Sequence, residues 1–135
     1  MLAPSSFNIG GKQYATALFS DAATFVLPPG AIAGLASRRA QPGDTITFDG
    51  IGFGSVTPDI PAGQIVQRPN LLALPFHLFF GSTEARVSYA GLAPQAVGLY
   101  QFNVVVPNVP AADLVPLTFT LGGVSAAQTQ YLAVQ

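Results

Sequence analysis

Residues 44–59 read DTITFDGIGFGSVTPD, and the fold turns on where the chain goes after the glycines at positions 50, 52 and 54. Before them the pattern alternates, with Ile46 and Phe48 on one face and Thr45, Thr47 and Asp49 on the other. That is the period of a half-buried strand. A strand that enters a G-x-G-x-G loop and leaves it as a helix forms an anion site at the helix N-terminus. Here the chain runs on into Ser55-Val56-Thr57-Pro58-Asp59 with no lysine nearby, so a phosphate loop lacks both its helix dipole and its cation. The glycines therefore read as a corner of a β fold, where positive φ or close backbone approach is needed. Phe53 is expected to be buried there as a plug on the end of the core, with Gly52 or Gly54 in a conformation that resists a β-carbon.

Outward from this corner the pieces are strand-sized. Twelve prolines and fourteen glycines interrupt the chain too often for amphipathic helices of ordinary length. Gln13 to Phe19 and Thr24 to Leu27 flank Ser20-Asp21-Ala22-Ala23 as a hairpin, and PPGAIAGLASRRAQPGD connects it to the strand at 45–49. The excursion SVTPDIPAGQIVQRPN, with Pro58, Pro61 and Pro69, is confined to edge or loop roles. Leu74 to Gly81 and Glu84 to Ala90 form a second hairpin around Ser82-Thr83, in which Phe76, Leu78 and Phe80 alternate with His77 and Phe79. GLYQFNVVVP reads as the longest strand, with Tyr100, Phe102, Val104 and Val106 on one face. LVPLTFTLGG points Val115, Leu117, Phe119 and Leu121 inward, and a Gly122-Gly123 turn leads to a last strand around Gln130 to Val134. Short strands with turns between them and no alternating helices predict an all-β antiparallel sandwich of about seven to nine strands.

Composition narrows the partners. Five Lys/Arg against six Asp/Glu give a net charge of −1, which offers no electrostatic footprint for nucleic acid or an anionic membrane surface. Charged residues make up only 8% of the 135, against 50% hydrophobic, and mean hydropathy is +0.46. A surface so poor in charge is prone to association, so contacts with neighbouring domains or with copies of itself are expected. No cysteine is present, which removes disulfides, thiolate metal sites and thiol catalysis. No apolar run reaches the about 18 residues of a spanning helix, and MLAPSSFNIG lacks the basic start and long apolar middle of a signal peptide. The expectation is a soluble chain without membrane insertion, a piece of something longer.

The segments ITFDGIGFG, FHLFFGSTEARVSYAG, YQFNVVVP and VPLTFTLGGVSAAQTQYLAV, in that order, resemble the IPT/TIG type of immunoglobulin-like domain. More closely they resemble the bacterial Ig-like module found as the C-terminal domain of many large secreted proteins of unassigned function. The resemblance rests on a G-x-G-F-G corner after an alternating strand, on Phe80-Gly81-Ser82 where the family has FGG, on the Y-x-G-L-x-P segment Tyr89 to Pro94, and on the hairpin Gly122-Gly123-Val124. It covers about residues 40 to 135, with residues 12 to 40 as the extension that the family often carries. It implies residues 41–135 as an Ig-like sandwich, residues 1–40 as an N-terminal strand and hairpin extension packed on it, and an extracellular setting, secreted or on a bacterial cell surface. It implies no reaction.

No catalytic, cofactor or metal residues are expected. His77 is the only histidine and has no G-x-S-x-G elbow to work with; it reads as a strand residue on the wetter face. Asp21, Asp44, Asp49, Asp59, Glu84 and Asp113 lie in or beside predicted turns, where Asp caps backbone amides. Asp49 and Asp59 flank one loop, but without the D-x-D-x-D-G spacing of a calcium loop. An isopeptide link from Lys12, the only lysine, to Asn103 or another Asn, with an acid such as Glu84 assisting, competes with a plain solvated lysine, which the neighbouring Gly10-Gly11 favours. His77, Phe79 and Arg86 form the candidate interaction surface: alternation puts Phe79 on the outer face beside His77 and across the hairpin from Arg86 or Ser88. Either a segment such as Ala31 to Leu35 covers Phe79, or Phe79 belongs to a docking face. The function expected is a non-catalytic structural or protein-interaction module that self-associates in an extracellular assembly, with Met1 to Phe19 as the segment to donate a strand. A carbohydrate-binding module is the alternative, set back by the absence of Trp.

Overall fold

Alternation at 45–50 becomes a strand paired on both edges in the structure, a computed structural model describing residues 1–135. In chain order the strands are β1 (Asn8–Ile9), β2 (Lys12–Gln13), β3 (Ala17–Phe19), β4 (Phe25–Val26), β5 (Ser37–Arg38), β6 (Thr45–Gly50), β7 (Val56–Thr57), β8 (Leu71–Leu72), β9 (Phe76–Phe80), β10 (Thr83–Leu92), β11 (Tyr100–Val105), β12 (Ala112–Leu121), β13 (Val124–Ser125) and β14 (Gln130–Val134). The one helical piece is a 3-10 turn at Ser5–Phe7. The protein is all-β, and its two packed layers make a sandwich.

One layer runs β5-β4-β3-β6-β11-β10. Its inner rows follow directly from the period of two: Phe19, Ile46 and Val104 lie side by side on β3, β6 and β11, and Ala17, Phe48 and Phe102 form the next row. All six are buried. The other layer runs β10-β9-β12, with β14 and β13 sharing the far edge of β12. Here Phe80 pairs with Leu117 and Leu78 with Phe119, and the two inner faces meet in one core. The strand β10 belongs to both layers. Thr83 to Ala85 pair with β9, Arg86 to Leu92 pair with β11, and an irregularity between Val87 and Tyr89 accompanies the change of sheet.

The longest strands are β10 and β12, ten residues each, where the sequence pattern points to GLYQFNVVVP. Pro116 sits within β12, and its carbonyl still accepts from Gly81 N–H at 2.7 Å. The turn of the second hairpin is Gly81-Ser82, because Phe80 pairs with Thr83. Gly81 has φ 61°, as the first central residue of a II′ turn requires. The turn comes one residue earlier than expected, and each cross-strand partner moves by two.

Residues 1–40 pack on the sandwich and supply strands to it. The predicted hairpin forms as β3 and β4, with Asp21 Oδ1 accepting from the Ala23 and Thr24 amides at 2.9 Å each. Ala15 N–H donates to the Tyr131 carbonyl at 3.0 Å and Ala40 N–H to the Ala133 carbonyl at 2.9 Å, so two short segments seal the outer edge of β14. Ala15, Ala17, Phe19, Val26 and Ala40 all belong to the main core. The segment Ala31 to Leu35 covers a separate small cluster of Phe7, Tyr14 and Leu27; it does not lie over Phe79.

Candidate functional site

The glycine corner closes the sandwich as expected. Phe53 is 5% exposed, and its ring packs against Phe76, Tyr100, Phe102 and Phe119 at centroid distances of 6.1, 5.6, 4.7 and 5.5 Å. Gly52 and Gly54 have φ of 76° and 87°, which L side chains avoid. At Gly50 the reason for glycine is space: a β-carbon there would stand 2.5 Å from Phe53 Cε2. The corner is a plug on the inside. On its outer side the excursion 55–64 and the Gly98 to Tyr100 turn enclose an open cleft of about 540 Å³.

The excursion, expected from its prolines in edge or loop roles, pairs β7 with β8 in a small sheet of its own. Val56, Val66 and Leu92 form a small core of their own, flanked by Ile60, Leu72 and Tyr100. Asn70, 3% exposed, holds this layer to β10: its Oδ1 accepts from Leu92 N–H at 2.7 Å. Tyr89 donates its hydroxyl to the Leu92 carbonyl at 2.6 Å, and burial pushes that phenol's pKa up. Gly91 is the residue that lets Asn70 approach, since a β-carbon there would meet Asn70 Oδ1 at 2.6 Å and the Asn70 carbonyl at 2.9 Å. The Tyr89-Ala90-Gly91-Leu92 stretch thus has a packing explanation.

His77 and Phe79 lie on the outer face of β9, between β12 and β10, whereas Arg86, one residue past the last β9 partner Ala85, already pairs with Val105 of β11. His77 and Arg86 are exposed and Phe79 is half-buried. Phe79 lies between Glu84 on β10 and Thr118 on β12, and His77 is beside Thr120. Glu84, not Arg86 or Ser88, stands opposite Phe79, because the turn comes one residue earlier than expected. His77 Nδ1 is 2.9 Å from Glu84 Oε2, an exposed pair of the kind worth little in stability. Glu84 is the one side chain hydrogen-bonded to this histidine.

Several large apolar side chains elsewhere are exposed, Ile51 and Ile65 among them. Leu71 and Leu74 are 60% and 52% exposed, and Val124 71%. Leu71 and Leu74 line a groove with Phe76 and Val87, where β10 leaves β9 for the other sheet. Leu74 also lies against the Gly122 backbone, two residues before Val124. Residue-by-residue alternation missed this edge. Its signal was the run LLALP after Asn70, five apolar residues in a stretch that cannot all face a core.

Several other polar groups have structural occupations. Asp44 accepts from Gln41 N–H at 2.9 Å, and Asp113 takes the Arg39 guanidinium through both oxygens at 2.6 and 3.2 Å. The Arg39 contact holds the Asp113 carboxyl below the usual range. Lys12 Nζ lies 5.5 Å from the Tyr131 ring centroid, while Asn103 Oδ1 accepts from Thr47 and Gln101 at 3.1 Å each; no contact joins the two residues of the candidate crosslink. No group of three His, Cys, Asp or Glu side chains is placed to hold a metal ion. No protein-family model matches the chain, and neither a curated protein nor a solved structure is significantly similar to it.

Proposed function

We infer that this chain is an immunoglobulin-like, IPT/TIG-like module that works without catalysis as a structural or protein-interaction part of a secreted or cell-surface bacterial protein. Strand order supports the Ig-like reading. Taking β3, β6, β9, β10, β11, β12 and β14 as strands A to G, one layer is A-B-E-D and the other C-F-G, the arrangement of a constant-type immunoglobulin domain. The opening part of β10 serves as a short extra strand beside C before the chain crosses over.

The observation that carries an interaction role is the exposed Leu71, Leu74 and Val124 edge on a chain with 8% charged residues. Apolar side chains left in water beside a groove favour burial against a neighbouring domain or a second copy. In an extracellular filament, Met1 to Phe19 is the segment to exchange between copies, since Ala15, Ala17 and Phe19 fill the core along the edges of β6 and β14.

Sedimentation velocity over a concentration series tests the docking edge. The native chain should self-associate, and the triple variant Leu71→Glu, Leu74→Glu, Val124→Glu should remain monomeric with an unchanged circular dichroism spectrum. A native chain that stays monomeric up to about 1 mM would count against self-association. Association that survives the three substitutions would move the contact away from this edge.

A further inference from the structure

The geometry points to a ligand-binding role for the outer side of the glycine corner: the cleft there takes an uncharged, hydroxyl-rich molecule, an oligosaccharide. Its volume of about 540 Å³ falls within the range of roughly 300–1,000 Å³ in which small-molecule sites occur. Ser55, Asp59 and Gln64 line it together with Tyr100. The first three are exposed, and their hydrogen bonds within the chain are made through the backbone alone: Ser55 O accepts from Ala73, Asp59 O from Arg68, and Gln64 N–H donates to Pro61 O. A hydroxyl, a carboxylate and a carboxamide are therefore free to face a ligand, offering both donors and acceptors.

The chemistry of the lining selects the ligand class. Asp59 is the only charged side chain on it, and the nearby Arg68 guanidinium is held on the Asp59 carbonyl outside the lining, so a phosphate or carboxylate ligand would meet a carboxylate with no cation in the lining itself. One carboxylate is too few to hold a metal ion. A purely apolar ligand would strand three polar side chains without partners. Sugars present hydroxyls that donate and accept, together with apolar ring faces, which match the free polar groups and the side of the Tyr100 ring.

The segments that flank the lining are bonded to one another before any ligand arrives. Just beyond it, Val66 N–H donates to Ala96 O at 3.0 Å and Gln95 N–H to Val66 O at 2.9 Å, while Ala93 N–H donates to Leu99 O at 2.7 Å. The Tyr100 hydroxyl bonds the Gly54 carbonyl, and Arg68 Nη2 bonds the Asp59 carbonyl at 2.6 Å. A site whose walls are fixed by packing loses little ordering entropy on binding.

Glycine amides supply the readout, because Gly52, Gly54, Gly63 and Gly98 all line the cleft and glycine signals are set apart in nitrogen–proton correlation spectra. The full chain, labelled with nitrogen-15, is titrated separately with cellohexaose, maltohexaose, xylohexaose and chitohexaose up to about 10 mM, and with inorganic phosphate. The expected result is saturable movement of these four amides with at least one hexasaccharide and none with phosphate. The double variant Asp59→Ala, Gln64→Ala should weaken that binding by about tenfold while its melting temperature holds, both side chains being exposed and unbonded. The proposal is overturned if no hexasaccharide moves the four amides, if the shifts fall elsewhere, if phosphate shifts them equally, or if the double variant binds as the native chain does.

Discussion

The Asn70 side chain lies along Leu92 as a neighbouring strand would, accepting from its N–H at 2.7 Å and donating to its carbonyl at 3.4 Å. Beyond Ala85, β10 has left β9, so this stretch of its edge has no strand partner there. A carboxamide carries one acceptor and one donor group in the same plane, which is why an Asn can stand in for a peptide unit.

Truncating that side chain, Asn70→Ala, leaves the buried Leu92 N–H without its partner and should cost about 2–3 kcal/mol. Gly91→Ala drives a β-carbon against the Asn70 backbone carbonyl, which cannot swing aside, and should cost about 1–3 kcal/mol. Because both act on one contact, urea denaturation of the double variant should give less than the sum of the single losses. Additive losses would show the two residues to be independent.

Phe53→Ala should be among the most damaging core changes, about 3–5 kcal/mol, since four aromatic rings lose a neighbour at once. Gly50→Ala attacks the same ring from the other side and should displace it. Ring-current shifts on the Phe102 and Phe119 protons report both changes. A Gly50→Ala spectrum with those protons unmoved would mean that the corner yields in some other way.

Thr16 Oγ1 is buried with no hydrogen-bond partner, between the core residues Ala15 and Ala17. An unpaired buried hydroxyl is a standing cost, and a methyl group has nearly the same volume. Thr16→Val should raise stability by about 1 kcal/mol, read as a later denaturation midpoint with an unchanged slope.

Two carboxylates should move the acid limb of stability in opposite directions. The Thr24 hydroxyl, then the Thr24 and Ala23 amides, hold Asp21 down from 3.8 to about 2. Its contribution is complete above pH 3.8 and is lost as pH falls through about 2, so Asp21→Ala should differ from the native chain at neutral pH and converge with it in acid. Burial raises the pKa of Asp49 instead, so its charged form is disfavoured in the fold and stability falls as pH rises through its folded pKa. Asp49→Asn should therefore stabilise at neutral pH and lose that advantage in acid, measured by thermal melts across pH.

Strands were legible where their pattern is local. The alternation at 45–50, 76–80 and 115–121 names its own buried face, and that face is the one found. Phe53 was legible for a related reason, since a large apolar residue between two turn glycines has only the core to enter. The site was less so. His77 and Phe79 alternate with the buried Leu78 and Phe80 while Arg86 has passed to the β11 edge, and the Leu71, Leu74 and Val124 edge and the cleft beside Tyr100 bring together residues tens of positions apart.

The amino-acid sequence by itself determined the all-β character, the inward residue at alternate positions and the corner at Gly52 and Gly54, because side-chain period and backbone freedom act within a few residues. Tertiary structure alone decided that β10 changes sheets after Ala85, that Glu84 stands opposite Phe79 and that Asn70 serves as the edge partner of Leu92. These are choices among backbone hydrogen-bond partners distant along the chain. Every strand edge offers the same N–H and C=O groups, so the choice is made only when the whole core packs.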